Sequence, residues 1–389
     1  MRNRSIILSS LSLSVVAATL AYFKFEPCMA SGWISPNVYQ HGCYSDIAGL
    51  YHSRGFSQDI WPYSSGKASL EYPVLSGLGM WLLSLVVRDG ATGLNQFYFV
   101  NILTIFLALI VLNFFLNKFE RKNSYLFALS PAVISALFIN WDIWALLPMV
   151  ISLYLFKEGK YSVSGAFLSI SIFLKFFPVI LLIPMIFTLK DDKKSRNQFL
   201  KSLVLTSAVI NVPFLLSSLQ GWLKFYIFNY HRGVDYGSIW YLIALKGTWI
   251  SHLNWVVTPL VVSLMLIIYF RYRQELMGSI FLASVVFFTF NKVYSPQYVL
   301  WLAVISLLFF PKTKTFYFLS AVWQGSEWLY QYGIWSHILN NRDQGSGITV
   351  NTYIAISALR ILSFLVLSCY GVYLLENNFI KRRGSKSNV

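Results

Sequence analysis

The sequence predicts an all-α polytopic membrane protein, and three observations carry the prediction. Of its 389 residues, 56% are hydrophobic and 12% charged, whereas soluble chains carry about 25% charged residues. Apolar runs close to the roughly 20 residues that span a bilayer recur from end to end. The basic residues fall in short clusters between those runs, as they do in cytoplasmic loops. One polytopic domain, 1–389, accounts for all three. The formal charge of +16 would suit nucleic acid only if it formed one basic face, so no nucleic-acid partner is expected.

The clusters fix the path of the chain. They lie at Arg2/Arg4, Lys118/Arg121/Lys122, Lys157/Lys160, 190–201, Arg271/Arg273, Lys312/Lys314 and 381–386. All reach the cytoplasm if the stretch 73–87 does not cross, since a crossing there would deliver the Lys118 cluster outside. That stretch therefore reads as an interfacial helix. Spans are expected at 6–23, 95–117, 125–139, 143–156, 161–176, 178–189, 199–217, 255–270, 276–290, 297–311, 315–331 and 352–376, about twelve in all, with both ends cytoplasmic and a basic tail at 377–389. The run 6–23 exceeds a signal-peptide core and is expected to stay as the first span.

The first loop, 24–94, is too polar and too rich in Gly, Pro and Tyr for lipid. With its interfacial helix it is expected to roof a cavity that opens outward. It carries Asp46 and Glu71. It also holds Cys28 and Cys43, which would close a disulfide if the loop faces an oxidising exterior and their Cα atoms lie close enough. Cys369 sits in an apolar run and reads as a packing residue. No P-loop, paired CxxC, HExxH or dinucleotide glycine motif is present, and no metal cluster, so neither metal nor cofactor is expected.

The unusual polar residues outside the clusters fall on the outer side of this path, although they were not used to choose it. Asn140-Trp141-Asp142 caps one outer turn, Lys175 ends a span, His231-Arg232-Gly233-Val234-Asp235 lies in an outer segment, and Asn291-Lys292 opens another turn. Asp46 and Glu71 supply acid, Lys175, Arg232 and Lys292 cations, and His231 a donor. This set suits a phosphorylated lipid and an alcohol: cations hold a phosphate, and a carboxylate takes the proton of an attacking hydroxyl. Each residue also has a plainer role. Asp46 could cap a helix or form a loop salt bridge, Glu71 could mark a helix entry, Asp142 could cap the next span and Lys175 could snorkel. Arg360, deep in the last span, needs a partner, and Glu327 is placed to form a structural ion pair with it. Trp240, Tyr241, Trp249 and Trp255 read as an interface belt.

Several short motifs occur in a definite order: Cys43-Tyr44-Ser45-Asp46-Ile47, Leu50-Tyr51, Arg54-Gly55, Pro62-Tyr63 and Glu71-Tyr72-Pro73-Val74-Leu75. Leu174-Lys175-Phe176-Phe177-Pro178, His231-Arg232-Gly233, Gly237-Ser238-Ile239-Trp240 and Asn291-Lys292-Val293-Tyr294-Ser295-Pro296-Gln297-Tyr298 follow. Over residues 40–310 this order resembles the polyprenol-phosphate-mannose-dependent α-1,2-mannosyltransferases, glycosyltransferase family 87. The resemblance implies the GT-C fold, with interfacial helices in the first extracytoplasmic loop and an essential Asp there. It implies an inverting transfer of mannose or a related hexose from a polyprenyl-phosphate sugar to a glycolipid, glycan or protein acceptor, in a multi-pass protein of the cell membrane working among membrane lipids.

Asp46 matches the family's catalytic position. Arg232, Lys175 and Lys292, with His231, Glu71, Tyr72, Asp142, Tyr294 and Gln297, are the expected substrate-binding residues, those nearest the donor phosphate being assigned from charge and side. Val74 follows Tyr72-Pro73 where the wider family has a second proline, which leaves sugar and acceptor open. A secondary transporter or lipid flippase would share the span pattern, but it calls for internal repeats and midplane charges that are not evident.

Overall fold

The computed structural model describes residues 2–386 apart from 65, 67–68, 88–89, 91, 121–123, 248–252 and 343–345. Arg121, Lys122 and Trp249 of the sequence reading lie outside the described residues. Among the described residues every regular element is helical. The major helices are α1 (Arg2–Ala30), α2 (Asp46–Ser53), α3 (Val74–Ser84), α4 (Gly93–Glu120), α5 (Asp142–Lys157), α6 (Tyr161–Leu174) and α7 (Lys193–Ser217). They continue with α8 (Leu219–His231), α9 (Leu253–Arg271), α10 (Leu276–Phe290), α11 (Val299–Phe309), α12 (Lys314–Arg342) and α13 (Val350–Lys386). Short turns of helix lie between them.

The first half packs in chain order, α1 on α4, α4 on α5, α5 on α6 and α6 on α7. Where apolar helices meet in lipid, small and hydroxylated residues allow close approach, and these contacts follow that rule. Asn113 and Asn117 of α4 donate to Ser14 and Ser10 of α1 at 2.8 and 3.0 Å. Ser152 and Ser164 exchange hydroxyl-to-carbonyl bonds between α5 and α6. Gly165 brings α6 so close to α7 that a Cβ there would lie 2.3 Å from the Phe199 carbonyl oxygen. In the second half α9 packs on α10, α10 on α11 and α13, and α12 on α13.

Among the described residues, four helical segments are long and apolar enough to cross a membrane by length and composition: Arg4–Ala30, Gly93–Phe119, Lys193–Ser217 and Val350–Asn377. The expected count of about twelve goes beyond what helix length supports. Its span 125–139 is broken into Tyr125–Ala128 and Pro131–Ala136, because Pro131 cannot supply the amide that a continuous helix needs. Its span 178–189 likewise begins as a 3-10 turn, Phe177–Leu181, around Pro178. The expected end of the first span at residue 23 moves to Ala30: Lys24 is accommodated within the helix by donating to the Ser135 carbonyl at 2.5 Å. The basic segment 377–386 continues α13 as helix.

The stretch expected to stay at the interface forms α3, which has 11 residues. At 1.5 Å per residue it is about 16 Å long, roughly half the hydrocarbon thickness. Ser76 anchors it to the Leu174 carbonyl of α6 at 2.5 Å. The first loop is tied at its start by the Cys28–Cys43 disulfide, whose Cα atoms are 6.0 Å apart. Trp33 and Asn95 pin it again, Trp33 Nε1 donating to Asn95 Oδ1 at 3.0 Å and Asn95 Nδ2 to the Met29 carbonyl at 3.1 Å.

Deep in the second half, Arg360 of α13 and Glu327 of α12 form an ion pair at 2.8 Å with both side chains fully buried. The guanidinium also donates to the carbonyls of Tyr294 and Ser295 at 2.8 and 3.2 Å and lies against the rings of Tyr294 and Tyr330. Breaking one partner of such a pair strands the other charge, at a cost of about 3–5 kcal/mol. Arg360→Met should therefore lower the thermal midpoint in detergent sharply. Arg360→Met combined with Glu327→Gln, which keeps an acceptor for Tyr294 and Trp323, should recover most of the loss; a double variant no more stable than the single one would contradict a structural role for the pair.

Candidate active site

Between the first loop and the turns that follow α6, α8 and α10 lies a cavity of about 820 Å³. Asp46, Glu71, Tyr72, Asp142, Lys175, Arg232, Lys292 and Gln297 all line it. These residues were singled out separately along 250 residues of chain, and folding brings them to one place.

Asp46 is the first residue of α2, and the cap is its neighbour. Ser45 Oγ accepts the Ile47 amide at 3.2 Å and donates to the Phe138 carbonyl at 2.7 Å. The Asp46 amide reaches the Ile139 carbonyl at 2.8 Å. With the capping done by Ser45, the Asp46 carboxylate is left to face the cavity, and the alternative of Asp46 as a helix cap falls away. Its Oδ1 accepts from Tyr44 OH at 2.9 Å and its Oδ2 from Asn140 Nδ2 at 2.6 Å. Burial pushes this carboxyl above the usual range, while the Tyr44 bond, the Lys175 charge and the Asn140 bond oppose the rise in part. The negative charge of Asp46, reinforced by burial, pushes the Tyr44 phenol far up, so Tyr44 remains a donor.

The other three carboxylates of the wall are paired with cations. Glu71 receives Arg54 bidentately, Nε to Oε2 at 2.7 Å and Nη2 to Oε1 at 2.5 Å, a fork geometry that holds both groups in place. Asp142, fully buried at the start of α5, accepts Trp301 Nε1 at 2.6 Å and faces Lys175 Nζ at 3.4 Å. Asp235 pairs with Arg232. Among the described residues, Asp46 is the one carboxylate of the cavity held by neutral donors alone.

The cations are likewise fixed. Lys175 lies over the Tyr72 ring at 4.9 Å, and Tyr72 OH accepts the same Asn140 Nδ2 that serves Asp46, at 2.8 Å. Lys292 donates to the Arg232 carbonyl at 2.6 Å, and the Asp235 amide returns to the Lys292 carbonyl at 2.9 Å. Burial, and then the Arg232 charge, lower the Lys292 pKa. For Arg232 burial works against the charge, but the Asp235 charge and hydrogen bond, together with Tyr298 and Tyr72, more than offset it and the pKa is raised.

Two expected site residues are elsewhere. His231, the last residue of α8, is exposed and outside the lining of the cavity, with its ring edge-on to Tyr230 at 5.1 Å. Tyr294 is buried and donates to Glu327 Oε1 at 2.7 Å, so its hydroxyl serves the Arg360 pair rather than the cavity. Conversely, Tyr44 and Asn140 lie in motifs quoted from the sequence but were not assigned to the site. No spacing rule connects residue 140 to residue 46, and the contact exists only in the fold.

A protein-family model described as mannosyltransferase (PIG-M) matches residues 140–375, more than half of the chain. The chain belongs to the PIG-M mannosyltransferase family. No curated protein matches it. Family membership makes this cavity the candidate active site of a membrane glycosyltransferase. The match contains Asn140, Asp142, Lys175, Arg232, Lys292 and Gln297 and begins after the first loop, so the loop residues Asp46, Glu71 and Tyr72 join the site through the structure alone.

A carboxyl that accepts a proton must first be ionised, and both Tyr44 and Asn140 stabilise the ionised form of Asp46. Removing either donor raises the Asp46 pKa further. If Asp46 is the group that takes the proton, Tyr44→Phe and Asn140→Leu should each move the acid limb of the kcat/KM profile to higher pH, activity being lost as pH falls through that pKa. Unshifted limbs in both variants would detach Asp46 from the titration.

Proposed function

We propose that this mannosyltransferase moves a mannosyl group, or a related hexose, from a polyprenyl phosphate to an acceptor hydroxyl on the extracytoplasmic face, with Asp46 as general base. The observation that supports this reading best is the pairing pattern of the cavity. A base must be ionised yet free to take a proton, and among the described residues Asp46 is the carboxylate of the cavity without a cation locked to it. The others are committed to Arg54, Lys175 and Arg232.

In the proposed step the acceptor O–H gives its proton to Asp46 as the oxygen bonds to the anomeric carbon. The bond from that carbon to the phosphate oxygen breaks on the opposite face, and its electron pair leaves with the phosphate. One displacement inverts the anomeric centre. Charge grows on the departing phosphate, where Lys175, Arg232 and Lys292 would stabilise it. Lys175 and Arg232 already share carboxylates, so their positions are set before the substrate arrives and little reorganisation is needed. The resemblance of the loop motifs to the α-1,2 family suggests the linkage formed.

The apolar wall beyond Lys175, with Phe176 packed on Phe225 and Tyr226 of α8 at 5.9 and 6.2 Å, suits a prenyl chain. The transporter reading has no comparable observation behind it, and the family match favours transfer.

Asp46→Asn keeps both hydrogen-bond partners in reach and removes the basicity. It should leave the thermal midpoint near that of the unaltered protein and reduce mannosyl transfer from polyprenyl-phosphate mannose by roughly 100-fold or more. Transfer within a few-fold of the unaltered enzyme would remove Asp46 from the role of base.

A further inference from the structure

The cavity wall on the other side of Asp46 has a different chemistry. The Tyr44 ring, whose hydroxyl holds Asp46, packs on Trp335 of α12 with centroids 4.9 Å apart and lies nearly parallel to Tyr39 at 6.1 Å. The Arg342 guanidinium sits over Tyr39 at 4.9 Å and is exposed. All four residues line the cavity. Following contacts the other way from Asp46, Asn140 leads to Tyr72, Tyr72 to Lys175, and Lys175 is followed by Phe176 against α8. Asp46 thus stands between a cationic lane that continues into apolar side chains and a three-ring aromatic wall edged by one arginine.

The two lanes call for different ligands. A phosphate on a prenyl chain needs cations and then apolar surface, which the Lys175 lane offers. A sugar ring has apolar C–H faces and a rim of hydroxyls, so it covers aromatic rings while its rim meets phenol and guanidinium donors. We propose that Tyr39, Tyr44, Trp335 and Arg342 form the acceptor subsite, and that the acceptor is a glycan whose terminal hexose lies on this wall with one hydroxyl directed at Asp46. The proposal rests on Asp46 being the base, since that role places the acceptor oxygen beside it.

The test uses the full chain in lipid nanodiscs and octyl α-D-mannopyranoside as a simple acceptor, with binding read by saturation-transfer NMR and KM values by transfer from polyprenyl-phosphate mannose. Tyr39→Ala and Trp335→Ala should each weaken octyl mannoside binding roughly tenfold and raise the acceptor KM to match, without a parallel rise in the donor KM. Arg342→Ala, at an exposed rim position outside the core, should weaken binding roughly threefold and carries the test if a core variant fails to fold. Asp46→Asn should still bind the mannoside. An unaltered protein that binds the mannoside but transfers no mannose would sink the proposed transfer reaction while leaving the subsite in place. Absence of mannoside binding by the unaltered protein, or binding by the Tyr39 and Arg342 variants equal to it, would overturn the subsite.

Discussion

The buried Arg360–Glu327 pair organises the half of the molecule that carries Arg232 and Lys292 of the site. Charges deep in a membrane protein persist only when every donor and acceptor is matched, and here the matching reaches across three chain segments. Glu327 takes Arg360 together with Tyr294 OH and Trp323 Nε1. Arg360 in turn takes the carbonyls of Tyr294 and Ser295, fixing the turn that carries Lys292 and Gln297. Gly237, at φ 78°, fits behind it where a Cβ would lie 2.7 Å from Arg360 Nη1 and 2.6 Å from the Tyr294 carbonyl oxygen. That close approach sets the segment bearing Arg232 and Asp235 against the same turn. A structural ion pair therefore fixes where Arg232 and Lys292 stand.

The same requirement for matched charge explains the economy of the cavity. Four carboxylates and several cations converge there, and pairing leaves them unequal. Locked pairs at Arg54–Glu71, Lys175–Asp142 and Arg232–Asp235 fix the wall without adding net charge. Asp46, held by a phenol and an amide, keeps its basicity, raised further by burial. The first loop places it there through Ser45, which takes over the cap and binds the 138–139 turn, and through a disulfide three residues upstream.

Much of this was legible in the sequence because charge in a membrane is rare enough to be informative. Clusters of Lys and Arg point to 73–87 as a segment that does not cross, and α3 there is a helix of 11 residues. The pairing of Arg360 with Glu327 followed from the cost of leaving either alone. Helix ends were less legible: α1 runs seven residues past the expected boundary, since Lys24 finds a carbonyl rather than water. The span expected at 125–139 was apolar throughout, but Pro131 breaks it. At the site, cation and carboxylate positions could be read from type and side, whereas Tyr44 and Asn140 could not, because neutral donors acquire meaning only from what they touch. Tyr294 shows the converse, a motif residue whose hydroxyl turns to the core.

The central claim is that the cavity opens on the side of the membrane opposite the basic clusters. Its most direct test replaces Cys369 with Ser and introduces either Gln58→Cys in the first loop or Lys194→Cys in the basic segment before α7, both exposed positions. A membrane-impermeant maleimide is then applied to intact cells. The expected result is labelling of the Gln58→Cys protein in intact cells and of the Lys194→Cys protein only after permeabilisation. The reverse pattern would contradict an outward-facing site.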